Sequence, residues 1–126
     1  MGAERNRELI TQWYTALQDG DWQTISDMHA DDVVYYMVGS TPVSGKLEGK
    51  DECLGEMINK KLLGQLVPEE VRFSQKWRIM CVDDHGGVGV MQGGGPTVSG
   101  DMYYQTYCEI FRFENDKIKE LHAFFD

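Results

Sequence analysis

One carboxylate stands alone in a row of aromatic side chains. In the stretch Asp101–Asp126, DMYYQTYCEIFRFENDKIKELHAFFD, alternate residues of an extended chain share a face, which lines up Tyr103, Gln105, Tyr107, Glu109, Phe111 and Phe113. Burial among such neighbours penalises a carboxylate and favours the neutral acid, which suits a general acid or a hydrogen-bond donor to an oxyanion. Tyr35, Tyr103, Tyr107 and Gln105 are residues that can add polar contacts to such a pocket, and Asp32 is the candidate base at the start of its strand. The bland account is packing, with Glu109 either wet or satisfied by nearby hydroxyl and indole groups. Trp13, Met37, Trp77, Phe111, Leu121 and Phe125 line the pocket or form core, and the sequence does not separate those roles.

The remaining reactive residue types carry less. His29 with Asp31 and Asp32 has the composition of a metal site, but no second histidine lies nearby, so solvated acids at a helix end are expected, with no metal and no cofactor. His85 sits beside two glycines and reads as exposed. The glycines of residues 86–95 read as turns and a pocket rim; they are not a phosphate cradle, because no helix follows them. Cys81 and Cys108 read as buried small hydrophobes.

What aims Glu109 is the register of the hairpin in which it sits, because a slip of one residue turns every side chain to the other face. A two-residue turn at Asn115-Asp116 sets Arg112 opposite Lys119 and Glu109 opposite His122. A three-residue turn, Asn115 to Lys117 with Asp116 left-handed, sets Arg112 opposite Glu120, Phe111 opposite Leu121 and Glu109 opposite Ala123. Opposite charges across strands favour the second. His122 then points away from Glu109 and shares the outer face with Tyr104, Ile110 and Phe124.

Upstream, Leu9, Ile10, Trp13, Tyr14 and Leu17 form a helical stripe from about Ala3 to Gln18. Asp19-Gly20-Asp21 ends that helix, and Asp21 can cap a short one burying Trp22, Ile25 and Met28. Asp31-Asp32 closes it and opens a strand, Val33 to Val38. Residues Gly39 to Gly49 read as a loop or short hairpin, and a third helix runs from about Asp51 to Leu63 with Leu54, Met57, Ile58 and Leu62 on one side and Lys60 and Lys61 at its end. After Pro68, Val71, Phe73, Gln75, Trp77, Ile79 and Cys81 alternate with Arg72, Ser74, Lys76 and Arg78, a strand with one wet face. Asp83 to Gly87 turns the chain and Val88 to Gln92 returns. The fold class is α+β: three helices of the N-terminal half packed on a curved, mostly antiparallel sheet, in a single domain spanning residues 1–126.

A chain of 126 residues with 41% hydrophobic content folds as one domain without staples. Its formal charge of −9 argues against nucleic acid or an anionic membrane as a partner and leaves a hydrophobic small molecule. The odd number of cysteines, with no CxxC pair, fits reduced thiols in a cytoplasm, and MGAERNRELI lacks the apolar core of a signal peptide. No apolar run is long enough to span a bilayer.

This order of elements resembles the nuclear transport factor 2-like superfamily, and within it the SnoaL-like polyketide cyclases and ketosteroid isomerases. The stretches that carry the likeness are TQWYTALQDGDWQTISDMHADDV, VGSTPVSGKLEGKDE and YCEIFRFENDKIKELHAFFD. The resemblance implies a cone whose concave sheet and helices enclose an apolar pocket, often in a homodimer built on the outer sheet face. Aligned on ADD and FRF, the isomerases' oxyanion-hole aspartate falls on Glu109, their general-base aspartate on or beside Met37, and their helix-one tyrosine on Trp13 with Tyr14 adjacent. The Arg-x-Asp pair and last-strand Asp of the similar limonene epoxide hydrolases fall on Gln92, Gly94 and Ala123, which excludes that mechanism. The expectation is therefore a small cofactor-free enzyme doing acid/base chemistry (cyclisation, isomerisation or dehydration) on a polyketide-, terpenoid- or steroid-like substrate. The alternative is a non-catalytic binding module or dimerisation domain of the same fold.

Overall fold

In the computed structural model, residues 2–38, 44–54 and 72–125 are described. The helical stripe becomes α1, Gly2–Asp19, and Leu9, Ile10, Trp13, Tyr14 and Leu17 are all buried along it. Gly20, at φ 70°, ends the helix where a side chain would be strained. The cap expected of Asp21 forms: its carboxylate accepts from the Thr24 amide at 3.2 Å and the Thr24 hydroxyl at 2.7 Å, opening α2, Trp22–Asp27.

Strand β1 is His29–Val38, earlier by four residues than the alternation of its apolar residues suggests. Met28 and His29 leave α2 directly into it, so Asp31 and Asp32 lie within the strand and do not close the helix. The loop after β1 returns as β2, Gly45–Glu48, antiparallel to it. A helical turn follows over residues 50–54, and the rest of the expected third helix, with Met57, Ile58, Lys60, Lys61 and Leu62, lies outside the described residues.

Strands β3 (Arg72–Val82), β4 (Gly86–Pro96), β5 (Met102–Glu114) and β6 (Lys117–Phe124) complete an open sheet of order β2-β1-β6-β5-β4-β3. Every neighbouring pair is antiparallel except β1 and β6, so the first strand of the chain is locked beside the last. Register shifts interrupt β1, β3 and the β5–β6 pair, and such bulges bend and twist strands into a cone. The helix α1 packs over β3 and β4 on the concave side.

Two of those shifts change which side chains face inward. In β3, between Arg72 and Lys76, Ser74 turns into the core instead of joining the wet face, and its hydroxyl donates to the Tyr14 carbonyl at 2.6 Å. Between Ile79 and Cys81 a second shift leaves Met80 and Cys81 both exposed, so Cys81 is not the buried hydrophobe its alternation suggests. The glycines of 86–95 likewise belong to a continuous, paired strand and not to a rim of turns. A side chain at Gly93 would stand 2.2 Å from the Arg72 carbonyl oxygen, so β3 can press against β4 only without one.

The hairpin has the expected register by a different route. Asn115 and Asp116 both have positive φ, 54° and 61°, a two-residue turn that sets Glu114 opposite Lys117 and Phe113 opposite Ile118. Lys119 is then an extra residue on β6, and beyond it Arg112 faces Glu120, Phe111 faces Leu121 and Glu109 faces Ala123. Turn chemistry and charge pairing are both satisfied because the bulge absorbs the residue by which they disagree.

Candidate active site

Glu109 is flanked across the sheet by Ala123 on one side and Gly89 on the other, which leaves space above its side chain. The hydroxyl of Tyr14 descends from α1 into that space: a Cβ on Gly89 would lie 2.3 Å from it. Tyr14 is held there by stacking on Trp77, ring centroids 5.3 Å apart, and by the Ser74 bond to its carbonyl. Trp13, one residue earlier on the helix, projects to the other side of the carboxyl and meets Phe111 edge-on at 5.7 Å.

The carboxyl is 3% exposed. Burial raises its pKa from 4.5 to about 7, against the smaller opposing influence of the Tyr14 hydroxyl and then the Trp13 indole, both donors toward it. Those donors are near but imperfectly aligned. Trp13 Nε1, Tyr14 Oη and Glu109 Oε1 are all buried, and none makes a hydrogen bond of full geometry. Three such atoms converging on one spot are an exception to the rule that buried polar groups are paired. Burial also raises the pKa of the Tyr14 and Tyr107 hydroxyls, which stay neutral donors at any physiological pH. Tyr107 shares a hydrogen bond with the Tyr103 hydroxyl.

A second polar group lies behind the same wall. His29 is 2% exposed; its Nδ1 lies 2.6 Å from the carbonyl oxygen of Ile25 at the end of α2, and its Nε2 bonds the Tyr35 hydroxyl. A carbonyl oxygen only accepts, so Nδ1 carries the hydrogen. Burial lowers the imidazole pKa to about 4, which leaves Nε2 a bare acceptor for the Tyr35 hydroxyl at neutral pH. The ring also meets Trp13 edge-on at 5.6 Å.

Between these groups lies a cavity of about 50 Å³ with almost wholly apolar walls. Trp13 and Leu17 come from α1, Trp22 and Ile25 from α2, Tyr35 and Met37 from β1, and Phe73 and Met91 from β3 and β4. Tyr107 and Glu109 from β5 and Leu121 and Ala123 from β6 form the floor. Glu109 is the one ionisable carboxyl among these residues.

The SnoaL-like domain family matches residues 10–121, nearly the whole chain. This chain belongs to the SnoaL-like family. No curated protein sequence matches it. Among solved structures, Bal32a from a soil-derived mobile gene cassette superposes with a TM-score of 0.81 at 17% identity, covering 99% of this chain and 92% of that one. A nuclear transport factor 2-like protein of Burkholderia thailandensis follows at 0.71 and 19%, and another from Burkholderia xenovorans at 0.70 and 15%; each covers 100% of this chain and 92% of its own. At these identities the likeness is one of fold, the cone-shaped α+β architecture.

Within this SnoaL-like domain, the residues singled out by pattern divide. Glu109, Tyr35, Trp13, Met37, Tyr107 and Leu121 meet at the cavity. Tyr14 backs Glu109 from beneath α1, and Phe111 and Phe125 are buried behind the wall, Phe125 against Tyr107 at 5.1 Å. Trp77 supports Tyr14 and does not line the cavity, Tyr103 is half-buried with its hydroxyl on Tyr107, and Gln105 is half-exposed with its side-chain carbonyl on the Thr106 amide. Asp32 is misplaced for a base: it lies on the solvent side of β1, 72% exposed, in an ion pair with Lys119 that lowers its pKa. The bulges in β1 and at Lys119 bring those two side chains together outside the cone. His29 was missed because residue type alone grouped it with Asp31 and Asp32. Its spacing, four after Ile25 and six before Tyr35, was the available signal. Leu17, Trp22, Ile25 and Phe73 were legible as buried positions but not as walls of one cavity, and Met91 was not singled out at all. Among the described residues, no group of His, Cys, Asp or Glu is arranged to hold a metal, and no helix is long and apolar enough to cross a membrane.

Proposed function

We propose that this domain is a cytoplasmic enzyme in which Glu109 moves a proton to or from an oxygen-bearing, otherwise hydrophobic substrate. The reaction class is cyclisation, isomerisation or dehydration of a polyketide-, terpenoid- or steroid-like compound, carried out by protein side chains. The observation that carries this is a wholly buried carboxyl with a pKa of about 7, facing an apolar cavity beside two donors that lack an aligned partner. A pKa near ambient pH lets one group both give and take a proton. A substrate oxygen entering between Trp13 and Glu109 would complete the unfinished hydrogen bonds, most strongly as it gains negative charge. The cavity of about 50 Å³ admits a compact reacting portion, and a fused-ring substrate has to displace its apolar walls.

Wash-in of solvent deuterium beside the carbonyl of a panel of cyclic ketones and enones tests this. Glu109→Gln keeps shape and one donor but not the transferable proton, so exchange should fall by roughly 10²–10⁴ with the fold intact. Ligand binding without exchange, indifferent to Glu109→Gln, would support a binding module instead. That second reading is favoured by the absence of another carboxylate from the cavity walls among the described residues. We infer further that two copies associate through the outer sheet face, where Tyr104, Ile110 and Phe124 are 54%, 41% and 40% exposed. Light scattering should then give twice the chain mass of 14.4 kDa, and a monomer at high concentration would dismiss it.

A further inference from the structure

The hydrogen-bond polarity of the cavity is set from outside it, by the end of α2. The last carbonyls of that helix need donors, and each finds one: Ile25 O takes the His29 ring, Asp27 O the Lys117 ammonium, and Met28 O the Ile118 amide at 2.7 Å. The bond to Ile25 O commits the His29 hydrogen to Nδ1 and leaves Nε2 to accept. Tyr35 must therefore turn its own hydrogen toward His29, away from any ligand. Among the described residues, the groups that act on His29 are Ile25 O, the Tyr35 hydroxyl, the Trp13 ring and, through its charge, the Lys50 ammonium; none is a carboxylate that would hold a proton on Nε2, and the nearby cation opposes one. Tyr35 is buried and lines the cavity; with its hydrogen committed to His29, its oxygen can offer a ligand only lone pairs.

We propose that the His29–Tyr35 pair makes Tyr35 an obligate acceptor and so selects ligands carrying a hydroxyl or N–H donor in addition to the oxygen taken by the Trp13–Glu109 end: compact apolar hydroxycarbonyl compounds. The proposal rests on the cavity being the ligand site, but not on Glu109 being catalytic. Tyr35 is here a specificity-determining residue and His29 a positioning residue that acts through it. The polarity is fixed before any ligand arrives, so a ligand without a donor leaves a buried oxygen unpaired. That costs more than a mere lost contact.

Cyclopentanol and cyclopentanone share a carbon frame and differ in the donor, and their affinities are measurable by chemical-shift titration. The wild-type protein should prefer the alcohol by roughly 10-fold. Tyr35→Phe should abolish the preference. His29→Phe, which frees the Tyr35 hydrogen to point inward, should shift it toward the ketone. A preference unchanged in both variants, or no saturable binding of either compound to the wild-type protein, overturns the proposal; a purely structural role would weaken both ligands equally and leave the ratio untouched. Loss of deuterium exchange in Glu109→Gln reports on the acid–base reading alone. If that reading fails while the alcohol preference survives, the selectivity stands without catalysis.

Discussion

Glu109 and Glu120 belong to the two strands of one hairpin and face opposite sides of the sheet. Glu120, on the outer face, lies 3.1 Å from the Arg112 guanidinium and 3.3 Å from His122, and these partners lower its pKa. Glu109, on the inner face, has only neutral donors within reach among the described residues, and burial raises its pKa to about 7. The alternation of a β-strand places one carboxylate in water with cations and another in an apolar cavity without them. The difference teaches that residue type alone does not set the protonation of a carboxyl here; the layer in which the side chain ends does. Asp32 makes the same point, since its pairing with Lys119 on the solvent side lowers its pKa and keeps it away from the cavity.

The strongest way to break this contrast is to remove the inner acid and follow stability against pH. A carboxyl raised from 4.5 to about 7 stabilises the fold fully below pH 4.5, and that contribution is lost as pH rises through about 7. An imidazole lowered from 6.5 to about 4 does the reverse: its contribution is whole above pH 6.5 and lost as pH falls through about 4. Each is worth roughly 3 kcal/mol, of opposite slope, so Glu109 and His29 largely cancel over the window they share. Glu109→Gln should expose a stability that rises with pH between 4.5 and 6.5, and His29→Phe one that falls across it. Urea midpoints across that window decide it, and variant profiles parallel to the wild type would mean that both groups titrate normally.

A smaller effect sharpens the inner site. Gly89→Ala drives a methyl into the Tyr14 hydroxyl, where 2.3 Å is available, and should cost about 2 kcal/mol by overpacking. Displacing that hydroxyl removes a donor that holds the Glu109 pKa down, so the carboxyl should titrate above 7 in carbon-detected NMR of labelled glutamate. An unchanged titration would show that Tyr14 does not act on Glu109. Smallest is the outer face: Glu120→Gln breaks a partly exposed pair and should cost only about 0.5 kcal/mol, with Glu109 titrating as before. A larger loss would mean that the two faces are coupled through the strand.

The stripe of α1, the cap of α2 and the inward row of β5 were legible because each rests on local periodicity or on one side chain meeting a backbone group a few residues away. The aim of Glu109 was legible as well, since Arg112 and Glu120 face each other only in a register that turns it inward. The route to that register was not: a bulge at Lys119 depends on the energy of two strands already paired, which no local pattern records. The same holds for the shifts that bury Ser74 and expose Cys81, and for the extension of β4 through its glycines, which pays off only when α1 and β3 close on it.

By itself the sequence determined the buried stripe of α1, the cap of α2 and the inward row of β5, that one acid lies among aromatics, and that the chain carries the SnoaL-like pattern. Only the tertiary structure decided that β1 lies parallel to β6, that His29 and Tyr35 form a buried pair, and that Asp32 is spent on Lys119. The physical reason is reach. Periodicity reports which face of an element is buried, whereas hydrogen-bond partners and pKa shifts depend on what distant elements place against that face, and here those partners come from α1, α2 and the opposite end of the chain.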